Sequence, residues 1–412
     1  MSNSLKVYYE EQQVGVLHPD AKKRLSFDYT PEWLGAAESF PVSKSMPLTK
    51  ETYTDTAHSF FTNLLPEAGL RDYVCAQLRI SPNNDYDLLK KVGGDCAGAL
   101  RVLPDEESCA FDDACYEPIT EFASAEALLS LTQSHTGEVR LSLAGAQYKM
   151  PVYLKDCALY LPLKQAPSSH IMKFSNPQYR RVPEDEFLVT TLARRIGINV
   201  VDLSLFPFGE SKLATISLRY DRTLKEGRLR RLHQEDFCQV MGISGIIKYE
   251  QEGGPSLNDC INIIRQYSHD VINDTKSLLS WMVFNVLVGN CDAHGKNLAF
   301  LYKQGKTRLA PFYDLVATIN YPRVSKNMAM SIGDERNVHN IRKSCWVAQA
   351  RIMGVSPQML CDLAADMSDQ IISTIEEEFA ACHQVNPGFC DRLRVLIVKQ
   401  CRRIQKLMVP HK

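Results

Sequence analysis

No CxxC pair occurs among the 13 cysteines of this 412-residue chain, and their number is odd. Neither a disulfide framework nor a zinc ribbon is indicated, and reduced, mostly buried thiols are the expectation. No apolar run approaches the roughly 20 residues that a membrane span needs. The first segment, "MSNSLKVYYEEQQVGVL", lacks the charged-then-apolar pattern of a signal peptide. A cytoplasmic protein with no membrane partner is expected. Excess charge of one sign is also missing, since 47 Lys and Arg stand against 48 Asp and Glu, for a net charge of −1. This argues against a chain that binds nucleic acid along its whole surface. Two local basic segments remain, "KEGRLRRLH" (225–233) and "KQCRRIQK" (399–406), read as a solvated loop and a solvated helix face, with a phosphate-facing or partner-facing role as the alternative. The ten histidines form no HxH or HxxxH. Asp292 and His294 have ligand-like spacing, but the three or four clustered ligands of a zinc site are not there. Internal repeats and low-complexity tracts are absent too.

What is present is an ordinary globular composition, 45% hydrophobic and 23% charged, in a chain long enough for two or three compact units. "LKVYYE", "QVGVLHP" and "LSFDYT" alternate in period two between turn residues, the pattern of a β-meander. "TDTAHSFFTNLLPEAGLRDYVCAQLRI" and "NDYDLLKKVG" switch to helical spacing, and "GALRVLP" returns to a strand. A first α+β subdomain over 1–105 is expected, followed by an acidic linker, "PDEESCAFDDACYEP". "EVRLSLAGAQYKMPVYL", "CALYLPL", "SHIMKFS", "DLSLFPFG" and "KLATISLRYDR" read as strands of a mostly antiparallel sheet. One helix, "PEDEFLVTTLARRIGINV", is inserted among them, with acidic residues at its start and Gly near its end. This second part spans 106–233. From 234 to 412 the chain is mainly helical, with "NLAFLYKQGKTRLAPFYD" as a hairpin around Gln304 and Gly305. The fold class expected is α+β: two lobes like a protein kinase, preceded by the small subdomain.

"GNCDAHGKNLAFLY" (289–302) sets Asp292, His294, Lys296 and Asn297 between the apolar run "SLLSWMVFNVLV" and an alternating one. Polar groups wedged between core-forming segments are costly unless paired or binding something. Kinases place an aspartate that orients and deprotonates the attacking hydroxyl five residues before a magnesium-binding asparagine, and a second metal-binding aspartate after a hairpin. Asp292, Asn297 and Asp314 fall at these positions. His294 and Lys296 belong to the same neighbourhood. Lys173, in "HIMKFS", and Glu186, in the next helix, are the natural pair of phosphate-binding lysine and orienting glutamate. "SLAGAQYK" (142–149) sits where a phosphate-covering loop belongs, although with only Gly145 it is no GxGxxG.

Several motifs in order then carry a resemblance: "FDYTPEWL", "FFTNLLPEAGLRD", "LSLAGAQYK", "RLHQEDFCQVMGI", "KYEQEGGP", "DAHGKN" and "PFYDLV". The chain resembles, nearly end to end, the HipA-type toxin Ser/Thr kinases of bacterial toxin–antitoxin pairs. The resemblance implies ATP and Mg2+ as cofactors, Asp292 as catalytic base with His294 and Lys296 beside it, and Asn297 and Asp314 as metal ligands. It implies that Lys173 meets the nucleotide phosphates, that Ala144, Gly145, Ala146, Gln147 and Lys149 form the phosphate loop, and that Ser142 is an inactivating autophosphorylation site. Leu218 and Tyr220 would form the adenine hinge and Asp221 would lie near the ribose. Leu218 stands where a family member carries glutamate. The implied partners are a helix-turn-helix, HipB-like antitoxin dimer, DNA indirectly through it, and a protein substrate such as glutamyl-tRNA synthetase. Two alternatives stay open: a catalytically inactive kinase-fold scaffold or co-repressor of a DNA-binding antitoxin, and a small-molecule kinase.

Overall fold

The computed structural model describes residues 4–107, 115–120, 148–175, 179–208 and 212–408. They gather into two compact units. The first comprises residues up to 176 with 206–246 and 301–304, and the second comprises 177–205, 247–300 and 305–412.

In the first unit the period-two segments form an antiparallel sheet in the order Leu25–Tyr29, Gln12–Pro19, Leu5–Tyr9, Leu100–Pro104. Alternation turns Leu5, Val7, Leu17, Leu25, Phe27, Leu100 and Val102 inward, each at most 2% exposed. The helical stretch that follows is cut at Pro66 into Asp55–Thr62 and Ala68–Leu78, and Asp85–Val92 comes next. Asn84 caps the last of these by accepting from the Asp87 N–H. Five strands of the second sheet lie in the order Tyr116–Pro118, Ala158–Pro162, Lys149–Lys155, His170–Lys173, Lys212–Leu218, each antiparallel to the next. Its inward residues Met150, Val152, Met172 and Ile216 join the same apolar cluster as the first sheet. Buried Glu235 ties down the Ser43–Lys44 turn, accepting from Ser43 Oγ at 2.6 Å, from the Lys44 N–H and from Tyr302.

The basic segment at 225–233 departs from the solvated loop expected. It is the second half of a hairpin, Arg222–Lys225 with Arg228–Arg231, and the hairpin's first and last arginines are buried. They enter an ion cluster centred on Asp95, whose Oδ1 accepts from Arg222 at 2.8 Å and Arg231 at 2.9 Å. Its Oδ2 accepts from Ser168 Oγ at 2.6 Å and from Arg219. The three guanidiniums hold the Asp95 carboxyl well below the usual range against the upward push of burial.

The second unit is mainly helical. Leu257–Tyr267 begins in a capping box between Ser256 and Asp259, and Pro357–Ala380 begins with Pro after a Ser356 cap. The Pro357–Ala380 helix packs on Val182–Arg195, Val271–Val288 and Pro387–Met408. Along Pro387–Met408 the basic residues Arg392, Lys399, Arg402 and Lys406 lie on the solvent side, as the period of the apolar residues required. The Ala299–Lys303 and Lys306–Leu309 strands, of which residues 301–304 count with the first unit, turn at Gln304 and Gly305. A second hairpin, Asn327–Ile332 with Glu335–Asn337, was not expected. "NMAMSI" holds one β-branched residue and no clean alternation, so its strand signal is weak. Among the described residues the cysteines are free thiols and no helix is long and apolar enough to cross a membrane.

Candidate active site

The apolar helix Val271–Val288 ends at Gly289, which is left-handed at φ 71°. A Cβ there would sit 2.4 Å from Ile319, so both backbone and space call for glycine. The chain then leaves the helix under close control. Asn290 bonds Asn285 through backbone and side chain, each at 2.8 Å, and accepts from the Asp292 N–H at 3.2 Å. Cys291 is fastened on both sides, its N–H to Thr318 Oγ1 at 2.7 Å and its carbonyl to the Ala329 N–H at 2.9 Å.

Asp292 is exposed, while Cys291, Ala293, His294, Lys296 and Asn297 around it are buried. A carboxylate that reaches solvent from a rigid, buried loop is placed to meet a substrate. Tyr249 donates to its Oδ1 at 2.7 Å. The Asn297 amide oxygen accepts from the His294 N–H at 3.0 Å, and its Nδ2 lies 3.4 Å from Asp314 Oδ2. The five-residue spacing and the hairpin therefore bring Asn297 and Asp314 together. Asp314 has φ 56°, an uncommon conformation for a residue with a side chain, of the kind that collects at functional sites. Tyr313 donates to the Lys296 carbonyl at 2.6 Å, and Phe312 is bridged to Val200.

The loop after Asp314 has an anchor the sequence reading missed. Asp185, one residue before Glu186 on the Val182–Arg195 helix, is wholly buried. It accepts from the Ala317 N–H at 2.8 Å and from Asn320 at 3.4 Å. Burial pushes its carboxyl up to about 7. The run Glu184–Asp185–Glu186 is buried throughout. That signal is hidden in sequence, where three successive acids at a helix start read as solvated dipole partners.

In the first unit, Lys149 opens its strand and is directly opposite Lys173, which is directly opposite Thr215. Directly opposite residues of antiparallel strands share a face. Two mostly buried lysines, 9% and 5% exposed, thus stand side by side. Like charges in that register are unfavourable unless negative charge meets them. Glu186, at 1% exposure, belongs to the second unit. Leu218 is 44% exposed, and Tyr220 donates to Gln234.

Asp221 is not free for a ribose. Arg219 grips it with two nitrogens at 2.9 and 2.7 Å, and the Gly98 N–H donates to it at 2.7 Å. It belongs to the buried cluster that also contains Asp95, where it pairs with Arg222 as well at 3.0 Å. Ser142, Ala144, Gly145, Ala146 and Gln147 lie outside the described residues.

Asn297 and Asp314 each carry a side-chain oxygen of the kind a hard divalent cation takes, with the amide here turning its oxygen to the His294 N–H and its Nδ2 to Asp314. Magnesium takes oxygen ligands, commonly one or two from protein carboxylates and the rest from phosphates and water. Among the described residues no group of three or more His, Cys, Asp and Glu gathers as a metal site.

Two family models match the chain, the HipA N-terminal domain over residues 5–103 and the HipA-like C-terminal domain over residues 141–378. The protein Y4mE of Sinorhizobium fredii is 35% identical over 405 residues, covering 95% of this chain and 94% of its own. The serine/threonine-protein kinase toxin HipA of Shewanella oneidensis is 29% identical over 359 residues, 82% of this chain and 80% of that one. A solved structure of HipA from that organism, with HipB and operator DNA, superposes with a TM-score of 0.84 at 26% identity, covering 99% of this chain and 100% of that one. An α+β fold with this loop and this domain order defines a kinase-toxin class. The chain belongs to the HipA family.

Proposed function

We propose that this chain is an ATP- and magnesium-dependent Ser/Thr protein kinase that serves as the toxin of a toxin–antitoxin pair. The observation that carries the reading is the loop geometry: an exposed Asp292 held by buried neighbours, with Asn297 and Asp314 meeting at 3.4 Å beyond it. Asp292 would accept the proton of the acceptor hydroxyl as its oxygen bonds to the γ-phosphorus and the bond to the bridging oxygen of ADP breaks. Asn297 and Asp314 would hold magnesium, which supplies charge neutralisation on the phosphates when bound. Lys149 and Lys173, directly opposite each other in the sheet, would meet the nucleotide phosphates. His294 and Lys296 complete the loop around the base.

The family supports finer readings. Ser142 would be an inactivating autophosphorylation site, and the acceptor a protein such as glutamyl-tRNA synthetase, with translation arrest as the outcome. The HipA–HipB–operator complex of the Shewanella relative supports a HipB-like antitoxin dimer as partner, with DNA contacted through it. The test is intact mass with phosphosite mapping after incubation with ATP and magnesium, beside Asp292→Ala. One added phosphate on Ser142, absent in the variant, is expected. No phosphate on either protein, together with no nucleotide binding by calorimetry, would overturn the kinase reading in favour of a scaffold.

A further inference from the structure

Tyr249 is 43 residues from Asp292 in sequence, yet its hydroxyl donates to Asp292 Oδ1 at 2.7 Å. We infer that Tyr249 is a positioning residue: its phenol fixes one oxygen of the base and leaves the other turned to the acceptor hydroxyl. This rests on the kinase reading above and adds a role for the "KYEQEGGP" segment.

The segment is built to hold that phenol still. The Tyr249 carbonyl accepts from the Glu252 and Gly254 N–H groups, each at 2.9 Å. A Cβ at Gly254 would lie 2.5 Å from the Lys248 carbonyl carbon, so the turn closes more tightly than any side chain allows. Glu250 accepts from the backbone and the hydroxyl of Ser331, the latter at 2.9 Å. Ser331 shares a strand with Ala329, whose N–H bonds Cys291, the neighbour of Asp292. The connections form a closed brace: Tyr249 to Asp292, Cys291 to Ala329, Ser331 to Glu250, and back along the chain to Tyr249. The tyrosine ring also meets the His294 ring edge-on at 5.5 Å. A ring held on so many sides is no mobile plug.

A carboxylate accepts at both oxygens and donates from neither while ionised. With Oδ1 taken by a fixed phenol, rotation about the carboxylate is restrained. The other titratable groups nearby are His294, Lys248 beside the Tyr249 ring, the Cys291 thiol, and Lys326, which acts on that thiol.

The experiment uses the full chain with ATP and magnesium, and follows phosphate incorporation by intact mass over time and ATP concentration. Tyr249→Phe keeps the ring against His294 and removes only the hydroxyl. A maximal rate lower by roughly tenfold to a hundredfold is expected, a fraction of what general-base catalysis contributes. The KM for ATP should stay within about twofold, since uniform binding is untouched and only the orientation of the base is lost. Unchanged melting separates this from misfolding, and Tyr249→Leu, which also removes the ring, should be slower still. If both variants work at the native maximal rate, the inference is overturned while the kinase reading stands. Phosphate found on Tyr249 itself would also overturn it, making the phenol an acceptor. No incorporation by the native chain would sink the kinase reading and this inference with it.

Discussion

Replacing Asp185 by Asn separates two jobs that one carboxylate performs. In the native chain its oxygen accepts from the Ala317 N–H three residues beyond Asp314, and burial pushes its carboxyl up to about 7, from 3.8 when exposed. Between those values the folded chain holds a proton that the unfolded chain releases. Stability therefore falls as pH rises from about 4 to about 7, and stays reduced above. A rise of that size corresponds to about 4 kcal/mol, an upper bound because water and nearby dipoles relax around the charge. The amide of Asp185→Asn could accept from Ala317 without ever charging. The variant is expected to be more stable than the native chain by about 2–4 kcal/mol near pH 8 and to match it near pH 4. Glu235, also pushed up to about 7, slopes the same way in both proteins and cancels in the difference. Urea unfolding at several pH values measures that difference. Parallel stability curves for the two proteins would refute the reasoning. Asp185→Ala goes the other way, leaving the Ala317 N–H without its acceptor at a cost of about 1–3 kcal/mol. Phosphotransfer should fall with it, because the Asp314 loop loses its anchor.

Asp95→Asn should destabilise the chain by about 3–5 kcal/mol, since Arg219, Arg222 and Arg231 remain buried around a neutral side chain. With its carboxyl held low in the fold, Asp95 stabilises the native chain above its ordinary value, and that share is lost as pH falls below about 4. Acid unfolding of native and variant chains should converge there. Gly289→Ala should cost about 1–3 kcal/mol from the backbone alone, with more from the clash at Ile319. A lowered melting temperature together with slowed autophosphorylation is the expected result.

What is local in this protein could be read from residue order. Alternation over 5–30 specified the first sheet because a half-buried strand can only alternate. The meeting of Asn297 and Asp314 was legible because a single hairpin joins them. What depends on partners distant in the chain was settled only by folding. Asp221 reads as a surface acid until Arg219, Gly98 and Asp95 close around it. Glu184, Asp185 and Glu186 look like solvated helix-start acids, and only packing shows all three buried. The register that sets Lys149 opposite Lys173 depends on which strands pair, and Tyr249 finds Asp292 across 43 residues. Charge and hydrogen-bonding capacity are written in each residue, but their energetic sign depends on burial and on who stands opposite. Those are properties of the folded chain alone.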